Sequence, residues 1–388
     1  MRFSHRTPDD LSHNEIFNAI ENSPQEKSWD LTQTNPTLCG FDTPADLLEG
    51  LNGKSSYAYD PHPFGSQKAR EAVAAYCGSK GEDVDPENIV LTASTSEAYS
   101  YLFKLFGNPG DSFLIPTPGY PLLDYLGALE GLEMLPYLLK PQSDWPVDLD
   151  ALAKQIKPNT KGFITINPHN PTGTSLSAAD KNKMTELCQK HDWIAISDEV
   201  FRDYFYANPA PPPWVPENVL SFRLGGLSKS LGLPQLKLSW MLLQGPSKSV
   251  AACKQRLELI ADTYLSVNTP VQTILPHLFS FAPQIQKQIL GRIRANRDFL
   301  SESLSRVSKV KLWPSQGGWV ALMELFHEGK NDEAVALDLF QKTRVLVHPG
   351  GFYDFPAGRR FWVLSLLSQP EIFQEGALRL EKYLAENL

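Results

Sequence analysis

The chain has 388 residues and a formal net charge of −8 at pH 7, and 42% of its residues are hydrophobic. This fraction, with 8 Trp, 13 Tyr and 20 Phe, can fill a large core, so a disordered chain is excluded and the length predicts two domains. The 44 acidic residues outnumber the 36 basic ones, which argues against a nucleic-acid-binding protein because such a protein needs a basic surface.

The cysteines are too widely spaced to indicate a zinc site or a disulfide framework. They are Cys39, Cys77, Cys188 and Cys253. The first ten residues are polar, and no stretch reaches ~18 uninterrupted apolar residues, the length that a membrane-spanning helix needs. We therefore expect a cytoplasmic protein that does not contact a membrane.

The two ends of the chain differ in pattern from its middle. Residues 1–54 are irregular, whereas residues 286–388 combine a long helical pattern, short strand candidates and a helix that ends at Leu388. We expect these two segments to pack together as a smaller α+β domain, with residues 55–285 forming a large ligand-binding domain.

Within the middle segment, short apolar runs alternate with helical patterns. The runs, each of which predicts a strand, are 88–91, 113–115, 162–166, 193–196, 221–224 and 238–243. A continuously apolar run is typical of a strand buried on both faces. The alternation therefore predicts an α/β fold with a mostly parallel central sheet flanked by helices.

Common catalytic motifs are missing from the sequence. It contains no G-x-G triplet, no HExxH and no G-x-S-x-G, which argues against a Rossmann dinucleotide site, a zinc hydrolase and a serine α/β-hydrolase. An open α/β sheet binds its ligand at the carboxyl ends of its strands. The candidates are therefore the polar residues that follow the predicted strands.

The first group of such residues follows the strand at 88–91. Ser94 and Glu97 have the spacing of a capping box, so a helix is predicted to begin here, with Thr95 and Ser96 in its first turn. The free backbone N–H groups of a helix N-terminus bind anions. An ordinary capped helix explains the same residues equally well.

Two further groups follow the strands at 162–166 and 193–196. Asn170 lies in a turn rich in Asn, Pro and Gly, which would hold its amide rigidly over the sheet edge. Asp198 ends the next strand, where a buried carboxylate is unfavourable unless a cation meets it. A protonated ligand nitrogen would satisfy this carboxylate, but it could also simply cap a helix.

The last group contains Lys229 among the small residues of 225–237. A desolvated lysine can act as an amine nucleophile toward a carbonyl group, although most lysines are merely solvated. An anion site, a rigid amide, a carboxylate and a lysine follow one another along the chain. Pyridoxal 5′-phosphate needs a phosphate site, a partner for its pyridine nitrogen and a Schiff-base lysine.

At these residues the chain resembles the class I and II aminotransferases of fold type I. The resemblance rests on 170–173 (Asn-Pro-Thr-Gly), 198–199 (Asp-Glu) and 228–229 (Ser-Lys), in the family's order and at similar spacings. It implies that pyridoxal phosphate forms a Schiff base with Lys229, which moves a proton at the donor carbon, while Asp198 keeps the pyridine nitrogen protonated. It also implies a homodimer with shared active sites, acting on an amino donor and a 2-oxo acid.

The resemblance assigns further cofactor contacts. Asn170 would hydrogen-bond the 3′-oxygen of the cofactor ring, and Tyr120 would stack on the ring. Tyr59 and Thr269 lie near positions that reach into the neighbouring subunit's site. The residues implied for the phosphate are Ser94, Thr95, Ser96 and Lys237, and Ser228 and Phe201 are implied as further cofactor contacts.

The sequence departs from the family around the cofactor. Lys237 stands where an arginine usually binds the phosphate, so a point charge replaces a bidentate group. Gly226 stands where relatives often carry another hydroxyl, and Gln235 and Ser239 also differ from the consensus. Phe201 replaces a tyrosine that bonds the 3′-oxygen, which predicts a higher pKa for the Schiff base.

A further departure concerns the substrate. Relatives bind the α-carboxylate with an arginine in an aromatic–apolar–Arg–apolar–Ser strand, and here that position is Val363. Arg360, or its neighbour Arg359, could take over if the register differs, and Arg202 is another candidate cation. Asn35 lies in a segment, 30–37, that resembles the part of the family that lines the substrate side.

Two other functions remain open at this point. A β-eliminating lyase or a decarboxylase would keep the cofactor and break a different bond. A non-catalytic effector-binding domain of a transcription regulator is disfavoured, because it would need a basic DNA-binding extension.

Overall fold

The structure is a computed structural model and describes residues 3–23, 27–59, 61–207, 209–326, 329, 331–356 and 358–388. Its strands are β1 (Trp29–Asp30), β2 (Ile89–Thr92), β3 (Ser112–Thr117), β4 (Glu133–Leu138), β5 (Thr160–Ile166), β6 (Ile194–Asp198), β7 (Ser221–Gly226), β8 (Ser239–Gln244), β9 (Val310–Leu312), β10 (Val320–Leu325), β11 (Val345–Leu346), β12 (His348–Pro349) and β13 (Arg360–Ser365).

The α-helices alternate with these strands through most of the chain. They are α1 (Glu15–Glu21), α2 (Gln67–Gly78), α3 (Thr95–Phe106), α4 (Leu122–Glu130), α5 (Leu149–Gln155), α6 (Ala178–His191), α7 (Leu227–Ser230), α8 (Ser247–Tyr264), α9 (Thr269–Ser280), α10 (Ala282–Leu304), α11 (Asp332–Thr343) and α12 (Pro370–Asn387). Within the described ranges, no helix is long and apolar enough to cross a lipid bilayer.

The large sheet has the strand order β2-β8-β7-β6-β5-β3-β4. Of its seven strands, β8 runs opposite to the other six, so the sheet is mostly parallel. Apolar side chains fill both of its faces: Ile164 and Ile196 pack with α3 and α8, and Phe163 and Ala195 pack with α6. The predicted α/β fold with a mostly parallel sheet flanked by helices is therefore confirmed.

A second, antiparallel sheet has the order β12-β13-β10-β9 and packs with α10, α11 and α12. The N-terminal segment joins this part of the molecule because β1 pairs with β11, Trp29 opposite Val345 and Asp30 opposite Leu346. Both ends of the chain thus contribute to the smaller α+β layer. The limits of the domains at residues 54 and 285 stay a prediction.

The strand directions bring the ends of distant segments to one edge of the large sheet. The parallel strands β5, β6 and β7 end there, and β2 ends there too because it is antiparallel to β8, which is itself antiparallel to β7. For the same reason β8 begins at this edge, with Ser239 opposite Gly226. The polar residues predicted to bind a ligand are therefore expected to meet here.

Candidate active site

A cavity of about 350 Å³ lies at this edge, between the large sheet and the smaller antiparallel sheet. Residues from β10 and β12, among them Val320 and His348, close it on the second side. The residues that the sequence predicted and that line the cavity are Thr95, Ser96, Tyr120, Asn170, Asp198, Phe201, Ser228 and Lys229.

Lys229 lies on the short helix α7, directly after β7, and its amine is largely removed from water. Its Nζ lies 4.9 Å from the ring centroid of Trp319 and 5.6 Å from that of Phe201. Burial lowers the pKa of the Lys229 ammonium, and the charge of Asp198 opposes this shift. The hydroxyl of Tyr204 donates to the Lys229 carbonyl at 2.9 Å and so holds the helix in place.

Asp198 ends β6 and faces the same cavity. Its Oδ2 accepts a hydrogen bond from the Tyr99 hydroxyl at 3.0 Å, and its Oδ1 accepts one from the Val200 N–H at 3.1 Å. Burial raises the pKa of the Asp198 carboxyl to about 6, against the lowering effect of these two bonds and of Lys229. A cationic N–H group bound next to it would stabilise the carboxylate.

The N-terminus of α3 lies at the same edge. Ser94 is its N-cap and accepts from the Glu97 N–H at 3.2 Å, while the Glu97 carboxylate accepts from the Ala93 N–H at 2.7 Å. The N–H groups of Thr95 and Ser96, the first two of the helix, have no acceptor within the helix. Ser94 therefore shapes the turn, and Thr95 and Ser96 line the cavity.

Gly226 and Ser239 complete this end of the cavity, and the two residues share one space. A Cβ atom at Gly226 would lie 2.3 Å from the Ser239 Oγ and 3.0 Å from its Cβ. Ser239 therefore occupies the volume that a hydroxyl at residue 226 would need. The two departures from the family at these positions therefore concern one shared space.

Four residues predicted to contact the cofactor do not line the cavity: Ser94, which caps α3, and Lys237, Tyr59 and Thr269. Lys237 has an exposed side chain after the turn Pro234–Leu236, with a φ of +50°. Tyr59 and Thr269 lie together in a separate surface depression with Gln272, and Tyr59 is 79% exposed.

The candidates for carboxylate binding are also engaged elsewhere. Arg202 Nε donates to Glu82 at 2.7 Å, and Arg202 lies in a buried charged cluster on the other side of β6 and β7 rather than in the cavity lining. Asn35 accepts hydrogen bonds from Thr37 and caps the turn that follows it. Arg360 donates to the carbonyl of Gly329 at 3.3 Å. Val363 is almost fully buried.

The structure also brings in residues that the sequence did not single out as ligands. Thr34, His169, Trp319, His348 and Tyr353 line the cavity. His169 precedes Asn170 in the same turn, which is a signal that could have found it. Trp319 and His348 come from distant segments, and no local pattern relates them to Lys229, whereas Thr34 lies in the segment 30–37 that the resemblance placed on the substrate side.

The donor set fits pyridoxal phosphate. The helix N-terminus and the hydroxyls of Ser228 and Ser239 suit a phosphate group, and the carboxylate of Asp198 suits a protonated ring nitrogen. No described residue accepts a hydrogen bond from the Lys229 amine, which is therefore available to an aldehyde. The aromatic ring of Tyr120, which lines the same cavity, suits stacking on a flat ring.

Comparison with known proteins gives the same assignment. Residues 45–371 match the family model described as "Aminotransferase class I and II". Glutamate-pyruvate aminotransferase AlaA of Escherichia coli (strain K12) is 27% identical over 343 residues, which cover 86% of this chain and 84% of that protein. Tyrosine aminotransferase of Mus musculus is 25% identical over 400 residues, covering 97% and 87%.

A solved structure supports the fold. Alanine aminotransferase from Pyrococcus furiosus superimposes with a TM-score of 0.87 at 24% sequence identity, over 96% of this chain and 95% of that one. The family model spans well over half of this chain and includes Lys229, Asp198 and Asn170. The chain therefore belongs to the class I and II aminotransferases, enzymes that use pyridoxal phosphate to transfer amino groups.

Proposed function

We propose that this protein transfers an amino group between an amino donor and a 2-oxo acid in the cavity around Lys229, with pyridoxal phosphate as cofactor. The observation that carries the proposal is the buried Lys229 amine, which shares one cavity with Asp198 and with the N-terminus of α3. The relatives named glutamate-pyruvate and tyrosine aminotransferase support a 2-oxo acid as one substrate. When bound, pyridoxal phosphate carries the amino group and withdraws electrons from the donor carbon.

At the phosphate end, the N–H groups of Thr95 and Ser96 and the hydroxyls of Ser228 and Ser239 would bind the dianion. The partial positive charge of the N-terminus of α3 adds to these hydrogen bonds. Lys237 would contribute only if its exposed side chain turned toward the cavity. We therefore assign the phosphate mainly to neutral donors, in a chain with a net charge of −8.

At the ring end, Asp198 would hold a proton on the pyridine nitrogen, and Tyr99 orients the carboxylate for this role. Asn170 would donate to the 3′-oxygen, and Tyr120 would stack on one side of the ring. The ring of Phe201 lies near Lys229 but offers no hydroxyl.

Lys229 would hold the cofactor covalently and move a proton at the donor carbon. A base is most effective when its pKa lies near the working pH, and burial lowers the pKa of the Lys229 ammonium toward that range. The hydroxyl of Tyr204, bonded to the carbonyls of Lys229 and Ser230, keeps the backbone of α7 fixed while the side chain moves.

We further propose a homodimer, in which Tyr59 and Thr269 reach the partner's cavity. Both residues lie outside the cavity of their own chain, and the large exposed side chains Tyr57 and Tyr59 lie in the same segment.

A cytoplasmic location is proposed because all four cysteines are free and buried, as in proteins of a reducing compartment.

The test is a pair of half-reactions followed by the cofactor's absorbance. An amino donor should convert the bound cofactor to its amine form, and a 2-oxo acid added after removal of the donor should restore it. The Lys229→Ala variant should lose both steps, whereas Lys248→Ala, on the exposed side of α8, should keep them. Release of ammonia and a 2-oxo acid without an acceptor would contradict the proposal and favour an eliminating lyase.

A further inference from the structure

We propose that the preferred substrate of this cavity is a primary amine, or the matching aldehyde or ketone, whose reacting carbon carries no carboxylate group. This inference rests on the proposed amino transfer at Lys229 and names the substrate class of that same site.

The strand pairing places Val363 on the side of the small sheet that faces the cavity. Val363 lies directly opposite His348 on β12 and Leu322 on β10. Residues directly opposite each other share a face of the sheet, and so do residues two apart on one strand, which adds Val320. Because His348 and Val320 line the cavity, Val363 lies on the cavity side of the sheet as well. This supports the alignment of Val363 with the arginine that binds the carboxylate in the family.

The position is apolar. The Val363 side chain is 1% exposed and belongs to a cluster with Phe361, Trp313 and Leu322. A carboxylate near it would meet neither a cation nor a hydrogen-bond donor from this side chain.

Of the described residues that line the cavity, Lys229 is the one lysine, and none is an arginine. The cofactor uses this amine. His169 and His348 are buried, which lowers the pKa of both imidazoles, that of His169 to about 3, so both are neutral near pH 7. The Nδ1 atom of His348 is also engaged, because the Tyr353 hydroxyl lies 3.2 Å from it.

Arg359 directly precedes β13, and continuing the two-residue alternation of that strand would put it on the face of Val363, but its side chain is held in place. Its Nε and Nη2 donate to the two oxygens of Glu324, each at 2.6 Å, and its guanidinium lies 5.5 Å from the ring centroid of Trp313. Four residues of a strand span ~13 Å. Moving Arg359 to the cavity would leave Glu324, which is 4% exposed, as a buried charge with no cationic partner and only the hydrogen bond from the Trp313 indole.

The other candidates point elsewhere. Arg360 is on the opposite face of β13, where it donates to Gly329. Arg202 is bonded to Glu82 and to the carbonyl of Pro211 at 3.0 Å. A carboxylate next to the reacting carbon would therefore enter this cavity without a cation from the described side chains, which is unfavourable in an apolar site.

An amine without this carboxylate meets a suitable surface. Leu122, Val320, Phe352 and Trp319 supply apolar contacts around the reacting position. We therefore expect aliphatic and aromatic amines to bind, and ordinary 2-oxo acids to act as weakly bound acceptors.

The experiment compares matched pairs on the wild-type holoenzyme: tyramine with L-tyrosine, and 3-methylbutylamine with L-leucine. The concentration dependence of cofactor conversion gives an apparent dissociation constant for each compound. We expect the amine's constant to be lower by about tenfold or more, which is the effect of one lost charge-assisted interaction. An amino acid that saturates at a lower concentration than its amine would overturn the inference and leave the amino-transfer proposal standing.

A second measurement does not depend on turnover. Calorimetry gives the affinity of the holoenzyme for 3-phenylpropionate and for 3-phenylpropan-1-ol, and we expect the neutral alcohol to bind more tightly. Tighter binding of the carboxylate would contradict the inference. Val363→Arg should improve the binding of 3-phenylpropionate by about tenfold, and Val363→Met should not. If Val363→Arg does not fold, the wild-type comparison still decides; if no amine or amino acid converts the cofactor, the amino-transfer proposal and its substrate class fail together.

Discussion

We expect the Ser239 hydroxyl on β8 to bind the phosphate in place of the hydroxyl that relatives often carry at position 226 on β7. Gly226 and Ser239 lie opposite each other on β7 and β8, and a Cβ at residue 226 would lie 2.3 Å from the Ser239 Oγ. Only one of the two positions can carry a hydroxyl without strain. In the family it is often position 226, and in this chain it is Ser239.

Ser239→Ala should weaken the binding of pyridoxal phosphate and leave the fold intact. A hydrogen bond to a charged group contributes ~1.5–3 kcal/mol, which corresponds to about a 10- to 150-fold higher dissociation constant. Gly226→Ser alone should instead destabilise the protein by ~1–3 kcal/mol, because the new side chain overfills the space beside Ser239. The double variant Gly226→Ser with Ser239→Gly should recover both stability and cofactor binding.

The assay is titration of the cofactor-free protein with pyridoxal phosphate, together with denaturant unfolding of each variant. Ser247→Ala, which changes an exposed residue at the start of α8, is the matched control. Wild-type affinity in Ser239→Ala would refute the assignment of the hydroxyl to the phosphate. A double variant no more stable than Gly226→Ser would refute the shared space.

Two further predictions concern protonation. Phe201→Tyr should lower the pKa of the Schiff base between Lys229 and the cofactor, because a hydroxyl near the 3′-oxygen stabilises its phenolate form; a spectral pH titration that shows no difference would contradict this. Since burial raises the Asp198 pKa to about 6, the folded cofactor-free protein holds more protons than the unfolded chain between about pH 4 and 6, so its stability falls as the pH rises through that window. Asp198→Asn should remove this fall and make the cofactor-free protein ~2–3 kcal/mol more stable at pH 7, as measured by denaturant unfolding. The control variant Asp144→Asn, which changes an exposed residue, should not be stabilised in this way. Equal stability of Asp198→Asn and wild type at pH 7 would contradict the burial argument.

The central strands could be predicted because they are apolar on both faces. The runs at 162–166 and 193–196, for example, appear as β5 and β6. β4 was not predicted, since it is an edge strand in which Glu133 and Pro136 are exposed, and its sequence lacks a continuous apolar run. A proline is tolerated there because an edge strand has one unpaired side.

The half of the site that lies on the large sheet was also predictable, because each candidate directly follows a strand. Much of the other half was not, since Trp319 and His348 reach the cavity only through the packing of the small sheet, whereas Thr34 lies in the segment 30–37 that the resemblance placed on the substrate side. Arg202 and Asn35 show a second limit. Their hydrogen-bond partners determine where their side chains point: Glu82, 120 residues away, for Arg202, and Thr37 for Asn35. A residue's type alone does not reveal such a partner.

The most direct test of the account is to identify the residue that holds the cofactor. The holoenzyme is reduced with borohydride, digested, and its pyridoxyl-modified peptide is sequenced by mass spectrometry. We predict a single modification on Lys229. Modification of another lysine instead, such as Lys80, whose pKa burial lowers to about 7, would contradict the assignment of the active site.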